Sequence, residues 1–411
     1  MLIKNIKRLV QVREEGTDWV SGADMQVLPG IDNAFLQLEN GKIAAYGPMD
    51  SCPQDNGPEI DATGRLVLPT FVDSHSHIVF AETRQGEFVD KIKGASYAEI
   101  AARGGGILNS ARKLQQLSAE ELFIRALPRV QEVIGFGTGC LEIKSGYGLT
   151  VEDEIKMLRV ARRLGEETPL TVKTTFLGAH AIPVDKTREA YLNLVVNEML
   201  PQVAAEGLAD YIDVFCEQGF FTPEETTKVV EAGNKHGLTA KIHANQLHIS
   251  GGVEVGVNTG ARSVDHLESI GEAQIAALRN SNTMPTLLPG SAFFLNNKYP
   301  PARQMIAAGL PVALATDYNP GSAPAGKMAF MVSLACIKMK MTPEEAINAA
   351  TINGAYAMDV LATHGSITVG KAASVIITKP IPDIAYIPYS FTGDVIDKVI
   401  LEGELIFSAD R

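Results

Sequence analysis

The middle of the chain alternates short apolar segments with longer amphipathic ones, and this alternation constrains the fold most strongly. The amphipathic stretches, such as VEDEIKMLRVARRLGEE and TPEETTKVVEAGNKHG, have the pattern of helices. The apolar segments have the length of buried strands and lie at residues 66–73, 138–145, 170–179, 209–217, 238–243, 261–266, 282–288 and 311–317. Eight strand–helix units in series predict an α/β fold, a parallel (β/α)8 barrel of the TIM type.

Local signals support this interpretation. Thr222 and Thr342 each precede Pro-Glu-Glu, which combines a helix N-cap, a proline at the first helical position and acids in the first turn. The competing interpretation is a doubly wound open sheet, which usually shows a glycine-rich turn after its first strand. Here the first strand is followed by His-Ser-His, which favours the barrel.

Both ends of the chain have a different pattern, that of short strands. FLQLENGKIAAYG alternates apolar and polar residues on either side of Asn40-Gly41, which predicts a hairpin. VIITK and DKVILEGELIF near the other end are strand-like as well, with a turn at Glu402-Gly403. We therefore predict a small composite β-sandwich domain built from residues 1–65 and 364–411, beside a barrel formed by residues 66–363.

Composition narrows the function classes. The 411 residues are 45% hydrophobic and carry a net charge of −12, so the protein is a poor general binder of nucleic acid or of anionic membranes. An anionic substrate would need a local cation. The N-terminal residues do not resemble a signal peptide, no run of about 18 apolar residues predicts a membrane span, and we expect a cytoplasmic protein. Four widely spaced cysteines without a CxxC pair predict reduced thiols, namely Cys52, Cys140, Cys216 and Cys336.

Polar residues fall where the predicted strands end, which is where barrel enzymes carry their chemistry. The strand-end positions and their immediate neighbours hold His75, His77, Lys144, Tyr147, His180, Glu217, His243, His266 and Asp317. The remaining histidines, His236, His248 and His364, have helix-end or loop contexts and are interpreted as structural or loop residues. Gly104-Gly105-Gly106 follows no predicted strand, so it predicts a flexible loop near the barrel mouth and not a phosphate cradle.

His75 and His77 lie two residues apart on an extended segment, so their side chains leave the same face with Cα atoms about 7 Å apart. Two imidazoles at this spacing can converge on one ion, although the pair alone is a weak signal. With His243 and Asp317 on other strand ends, the set predicts a site for one Zn²⁺ or iron ion per subunit. His266 is either a capping histidine or a residue that binds metal-bound water, and His180 is open between a structural and a functional role.

The strand-end set resembles the amidohydrolase superfamily and, within it, closely resembles the imidazolonepropionase family. The similarity covers most of the chain. Ser374 departs from the aspartate that superfamily members usually carry in the tail motif, at a position away from the site. The matching segments are FVDSHSHIVFAETRQGEF, GASYAEIAARGGGI, EIKSGYGL, TFLGAHAIP, DVFCE, KIHANQL, DHLE, LLPGSAFFL, ALATDYNPGS and GSITVGKAASVI.

This resemblance implies a function and a set of site residues. The implied activity is hydrolysis of the ring amide of 4-imidazolone-5-propanoate to N-formimidoyl-L-glutamate in histidine degradation, with attack by metal-bound hydroxide. The implied metal ligands are His75, His77, His243 and Asp317, and the implied proton-transfer residues are His266 and Asp317. The implied substrate contacts are Arg84, Tyr147, His180, Gln246, Asn319, Gly321 and Ser322, with Arg84 pairing with the propanoate. Relatives also suggest a homodimer.

Gln246 bears on the alternatives. Some relatives have a glutamate at this position, and a glutamine can form hydrogen bonds with a ring amide but cannot transfer protons. This argues against the first alternative, a cytosine- or guanine-type deaminase, because those enzymes use the glutamate. The second alternative is a non-catalytic scaffold that kept the barrel and lost the site, and the intact ligand set disfavours it.

Overall fold

The computed structural model describes residues 1–54, 57–95, 99 and 105–409, and two eight-stranded sheets organise them. One sheet is a barrel whose neighbouring strands all run parallel. Its strands, numbered here as barrel strands 1 to 8, are Phe71–Asp73, Thr138–Lys144, Thr171–Ala179, Tyr211–Cys216, Thr239–Ala244, Ser263–His266, Met284–Leu287 and Ala313–Leu314. The order in the sheet is the order in the chain, which confirms the predicted barrel.

The barrel closes between the first and the eighth strand. The backbone N–H of Asp317 donates to the carbonyl of His75 at 3.0 Å, and that of His77 donates to the carbonyl of Tyr318 at 2.9 Å. These bonds lie just beyond the strand ends, so the closure also brings the polar residues of the first and last strands together. Closure removes the sheet edge, which would otherwise leave unpaired backbone groups.

Helices connect the successive strands of the barrel. Thr222 and Thr342 cap two of them as predicted, since their side chains accept hydrogen bonds from the N–H groups of Glu225 and Glu345 in capping boxes. Within the described ranges, the α-helices are Gln85–Ile92, Ile107–Gln115, Ala119–Gly135, Val151–Glu167, Arg188–Leu194, Leu200–Ala205, Pro223–Lys235, Gly252–Thr259, Glu272–Arg279, Pro289–Leu295, Ala302–Ala307, Met328–Met339, Pro343–Ala350, Ile352–Ala357 and Tyr386–Tyr389. A π-helical segment spans Val195–Met199, and 3₁₀ turns span Gly22–Gln26 and Met49–Ser51.

The second sheet is mixed and draws strands from both ends of the chain, as predicted. Asn40 and Gly41, with φ of 50° and 74°, form the predicted hairpin turn, and Glu402 and Gly403 form the other. The strands are Leu2–Val10, Gly30–Glu39, Lys42–Pro48, Glu59–Asp61, Leu66–Pro69, Val375–Thr378, Ile396–Leu401 and Glu404–Ser408. Their apolar side chains share one core, which includes Ile3, Leu36, Val67, Val375 and Ile400.

One predicted strand is two strands. The apolar run at 66–73 splits at Thr70, because Leu66–Pro69 pairs with both ends of the chain in the mixed sheet whereas Phe71–Asp73 starts the barrel. The N–H of Thr70 still donates to Ser374 in the mixed sheet at 3.1 Å, and that of Phe71 already donates to Gly137 beside the barrel at 2.9 Å. Both halves are fully buried, so hydrophobicity alone does not reveal the change of partner.

Three smaller points concern the cysteines, membrane-spanning helices and the glycine segment Gly104-Gly105-Gly106. All four cysteines are free thiols in the structure. No helix in the described part of the chain is long and apolar enough to cross a membrane. Gly104 lies outside the described residues, and Gly106, with φ of 77°, precedes the helix Ile107–Gln115.

Candidate active site

Three histidines and an aspartate converge at the mouth of the barrel. The Nε2 atoms of His77 and His243 lie 3.3 Å apart, and Oδ1 of Asp317 lies 3.5 Å from Nε2 of both His75 and His77. The possible ligand atoms of His75, His77 and His243 lie within 4.8 Å of one another, and so do those of His75, His266 and Asp317. The closure of the barrel therefore brings together side chains that are far apart in the sequence.

Two buried aspartates orient the histidines from below. Nδ1 of His75 lies 2.6 Å from Oδ2 of Asp265, and Nδ1 of His243 lies 2.9 Å from Oδ2 of Asp213. An Nδ1–H that donates to a carboxylate leaves Nε2 free as a lone-pair donor, which is the usual arrangement around metal-binding histidines. Neither aspartate was among the residues predicted from the sequence, although a carboxylate inside an otherwise apolar strand, as in YIDVF and SVDH, is a signal for such a role.

The two aspartates belong to a network of buried charges that fills the barrel beneath the histidines. Lys144, which the sequence places at the end of barrel strand 2, contacts Glu142, Asp213 and Asp265 at 2.5, 2.9 and 3.8 Å. Burial opposes its charge, but the three carboxylates raise the pKa of the Lys144 ammonium above its ordinary value. Lys144 thus points into the barrel, below the site and not into the cavity.

This donor set fits a divalent metal ion. Two ligands about 2.1 Å from an ion in tetrahedral geometry lie about 3.4 Å apart, close to the spacings of 3.3 Å between His77 and His243 and 3.5 Å from Asp317 to His75 and His77. Burial, followed by nearby cationic groups, lowers the pKa of His75 and of His77 well below the ordinary value, so both rings are neutral as ligands must be. Nε2 of His75 is buried and has no hydrogen-bond partner among the described residues, which a metal would supply.

A cavity of about 620 Å³ opens above these groups. Its walls combine polar side chains with the aromatic rings of Phe88, Tyr147, Phe215, Phe220 and Phe294, a mixture that is typical of small-molecule sites. All the site residues expected from the sequence line it except His75, which lies beneath: His77, Arg84, Tyr147, His180, His243, Gln246, His266, Asp317, Asn319, Gly321 and Ser322.

The loop after barrel strand 8 is shaped by Asn319. Its Oδ1 accepts hydrogen bonds from the N–H groups of Gly321 and Ser322, both at 2.8 Å, and its Nδ2 donates to the carbonyl of Asp317 at 2.6 Å. The hydroxyl of Ser322 donates to Oδ2 of Asp317 at 3.3 Å. Burial raises the pKa of the Asp317 carboxyl above its ordinary value.

His266 lies beside Asp317 with strained backbone geometry. Its φ is 88° and that of Leu267 is 66°, both rare for residues other than glycine. Nδ1 of His266 lies 3.5 Å from the buried carboxylate of Glu268. Burial works against the charged ring, but Glu268 and then Asp317 raise the pKa of His266. The ring is therefore suited to hold a proton beside the cavity.

Arg84 reaches the cavity from the start of the helix Gln85–Ile92. Its Nε and Nη2 donate to Oε2 of Glu87 at 2.8 and 2.6 Å, and its side chain is only 8% exposed. Its Nη1 packs against Gly321, where a Cβ would lie 2.2 Å from that nitrogen. The arginine is thus buried and held in place, unlike a solvated surface arginine.

Three further expected contacts, His180, Tyr147 and Gln246, line the same cavity. The His180 ring stacks on that of His77, with centroids 5.4 Å apart, and Tyr147 lies 5.4 Å from His180. Burial and the neighbouring His243 lower the pKa of His180 to about 3, so this ring is neutral. Gln246 donates from Nε2 to the hydroxyl of Ser291 at 3.3 Å.

Some residues in the cavity wall or directly behind it were not identified from the sequence. Glu87 and Lys91 lie on the same short helix as Phe88, whose ring stacks on that of Phe294 at 5.2 Å. This helix lies in the long connection between barrel strands 1 and 2, so its residues do not follow the end of a strand and the strand-end pattern does not indicate them. Glu87 and Lys91 follow Arg84 by three and seven residues, which is about one and two helical turns. This spacing indicates that both lie on the same face of the helix as Arg84.

Comparisons with known proteins agree with this geometry. A family model described as the amidohydrolase family matches residues 66–406. The imidazolonepropionase of Flavobacterium psychrophilum is 57% identical over 98% of this chain and 99% of that protein, and that of Christiangramia forsetii is 55% identical over 99% and 100%. The solved E. coli guanine deaminase shares the fold, with a TM-score of 0.76 at 13% identity over 99% of this chain and 98% of that one. The chain therefore belongs to the amidohydrolase family and, within it, to the imidazolonepropionases.

Proposed function

We propose that this protein hydrolyses the ring amide of 4-imidazolone-5-propanoate to N-formimidoyl-L-glutamate, a step of histidine degradation. The observation that carries the proposal is one cavity with His75, His77, His243 and Asp317 at its floor and the buried Arg84 at its side. The substrate has matching parts, an electrophilic ring carbonyl and a carboxylate several bonds away. The relatives named imidazolonepropionase support the same reaction.

The four floor residues would hold one Zn²⁺ or iron ion per subunit, with three imidazole nitrogens and one carboxylate oxygen as ligands. When bound, such an ion supplies Lewis acidity and lowers the pKa of a coordinated water toward neutrality. Asp265 and Asp213 fix the tautomers of His75 and His243 for this role.

The protein's own groups move the protons. Asp317 accepts a proton from the attacking water and passes it to the leaving ring nitrogen, so the C–N bond breaks as the carbonyl carbon becomes a carboxylate. His266, with its raised pKa, donates a hydrogen bond to the carbonyl oxygen as negative charge develops there. Gln246 contacts the ring amide without taking part in proton transfer.

The remaining contacts would orient the substrate. Arg84 pairs with the propanoate, assisted by Tyr147, and His180 contacts the ring amide. Asn319, Gly321 and Ser322 would bind the carboxylate that forms. A homodimer and a cytoplasmic location complete the proposal. We also propose two domains, which the sequence predicts as residues 1–65 with 364–411 and residues 66–363. Because Leu66–Pro69 pairs in the mixed sheet, we move the boundary between them from residue 65 to Thr70.

The test is a ring-opening assay joined to elemental analysis. The purified protein is expected to contain Zn or Fe and to convert 4-imidazolone-5-propanoate to N-formimidoyl-L-glutamate, identified by mass spectrometry. Chelation should abolish the conversion, and restoring the metal should recover it, while circular dichroism shows that the chelated protein stays folded. The proposal fails if the metal-loaded protein does not open the ring, or if the metal-free protein opens it equally well. Ammonia release from cytosine or guanine would indicate a deaminase instead.

A further inference from the structure

Two cations reach the cavity from the two ends of the helix Gln85–Ile92. Arg84 precedes its first residue, and Lys91 lies in its last turn. They are the only lysine or arginine side chains among the described residues that line the cavity. Asp317 is the only acid among the described residues of that lining, and it lies with the histidines at the floor.

The charge of Arg84 is already matched by a carboxylate. Two of its nitrogens donate to the same oxygen of Glu87. The other oxygen of Glu87 accepts hydrogen bonds from the N–H of Gly106 at 3.1 Å and from Nδ2 of Asn109 at 3.3 Å. These bonds hold Glu87, and thereby Arg84, in position. Because one guanidinium and one carboxylate form the Arg84–Glu87 pair, the pair is neutral overall. It offers directed N–H donors to an anion but no net positive charge.

Lys91 has the opposite character. Its Nζ donates to the carbonyl of Gly321 at 3.2 Å and lies 5.9 Å from the centre of the Phe294 ring. Lys91 forms no ion pair with any carboxylate of the described residues, and Glu87, the one carboxylate that favours its charge from a distance, is paired with Arg84. Burial and then the nearby Arg84 lower the pKa of the Lys91 ammonium, and an anion bound between the two cations would reverse this effect.

Both cations contact the same residue of the strand 8 loop. Nη1 of Arg84 packs against the Cα side of Gly321, and Nζ of Lys91 binds its carbonyl. We propose that Lys91 is a second, specificity-determining contact for the substrate's carboxylate and supplies the net positive charge that the Arg84–Glu87 pair lacks. This inference rests on the proposed function, because it takes the propanoate as the anion. It also explains how a chain with a net charge of −12 attracts an anion locally.

The test separates charge recognition from turnover. Imidazole-4-propanoate and its uncharged propanamide serve as ligands, and calorimetry gives their Kd values for the metal-loaded protein. Lys91→Met should weaken binding of the acid roughly tenfold or more, as loss of a charge-assisted contact implies, and leave the amide unchanged. Lys91→Arg should keep most of the affinity. Lys93→Met, an exposed lysine of the same segment, is the matched control and should leave both Kd values unchanged.

Turnover provides a second readout. With 4-imidazolone-5-propanoate, Lys91→Met should raise KM by a similar factor while kcat changes little, because the ammonium does not touch the ring carbonyl. If Lys91→Met weakens binding of the acid and of the amide equally, the inference is overturned and Lys91 acts by packing against Phe294. The inference is also overturned if the unchanged protein binds the acid and the amide equally well. If the unchanged protein opens no ring but shows Lys91-dependent preference for the acid, the proposed function fails and the anion site stands.

Discussion

At the scale of single residues, the site consists of side chains from the strand ends together with the buried groups that hold them in place, such as Asp265 on His75 and Asp213 on His243. His75, His77, His243 and Asp317 were predictable because strand ends of a barrel converge, so position along the chain determines position in space. Glu87, Lys91, Asp213 and Asp265 were not, because their importance depends on which side chain they contact. The roles of the predicted residues in binding and catalysis remain predictions.

Gly321 illustrates a residue whose role depends on its neighbour. A Cβ at this position would lie 2.2 Å from Nη1 and 2.6 Å from Cζ of Arg84, so Gly321→Ala must displace the guanidinium. We expect KM for 4-imidazolone-5-propanoate to rise roughly tenfold or more, as the charge-assisted contact is lost, with metal content unchanged. Gly86→Ala, where the added methyl meets open space, is the control and should behave as the parent. Steady-state kinetics at saturating metal gives KM for the two variants, and elemental analysis gives their metal content. An unaltered KM in Gly321→Ala would contradict the expected role of Arg84.

At the scale of elements, the sequence predicts the barrel strands well and their polar interior poorly. The eight strands all fall within or beside the predicted apolar runs, and only the run at 66–73 changes sheets partway. The interior of the barrel, however, contains a charged network rather than a purely apolar core. Its members come from barrel strands 2, 4, 5 and 6, and pairing between such distant segments is not encoded in any local pattern.

Lys241 tests the weight of that network. It is fully buried on barrel strand 5, pairs with Glu142 and donates to the carbonyl of Ser74 at 2.7 Å. Lys241→Met removes one partner of a buried ion pair, which typically lowers the free energy of unfolding by about 3–5 kcal/mol. Urea unfolding followed by circular dichroism measures the change. Lys235→Met, at an exposed helix end, should shift the free energy of unfolding by less than about 0.5 kcal/mol. A similarly small shift for Lys241→Met would mean that the network contributes little to stability.

At the scale of the whole molecule, the barrel and the mixed sheet meet along the segment that leaves the last barrel helices. The N–H of Gly370 donates to the carbonyl of Ile43 in the mixed sheet at 2.9 Å, and residues Val12 and Ile367 form a parallel bridge. His364 begins this segment and lies against the start of barrel strand 3, with Nε2 3.4 Å from the hydroxyl of Thr171. The sequence predicted a structural role for His364 from its loop context, and its burial between the two sheets gives that role a measurable consequence.

Burial, with Lys371 as a second cause, lowers the pKa of His364 to about 4 from an ordinary value of 6.5. The unfolded chain therefore binds a proton at this residue between pH 6.5 and pH 4 when the folded protein does not. Stability must fall as pH drops through this window, by up to about 3 kcal/mol from this one group, and stay flat above it. Urea unfolding of the parent and of His364→Gln at several pH values isolates the contribution, since all other titrating groups are shared. The parent should lose stability relative to the variant on acidification, whereas His236→Gln, at an exposed helix end, should follow the parent. Parallel curves for the parent and His364→Gln would mean that the ring accepts a proton while the two sheets stay packed.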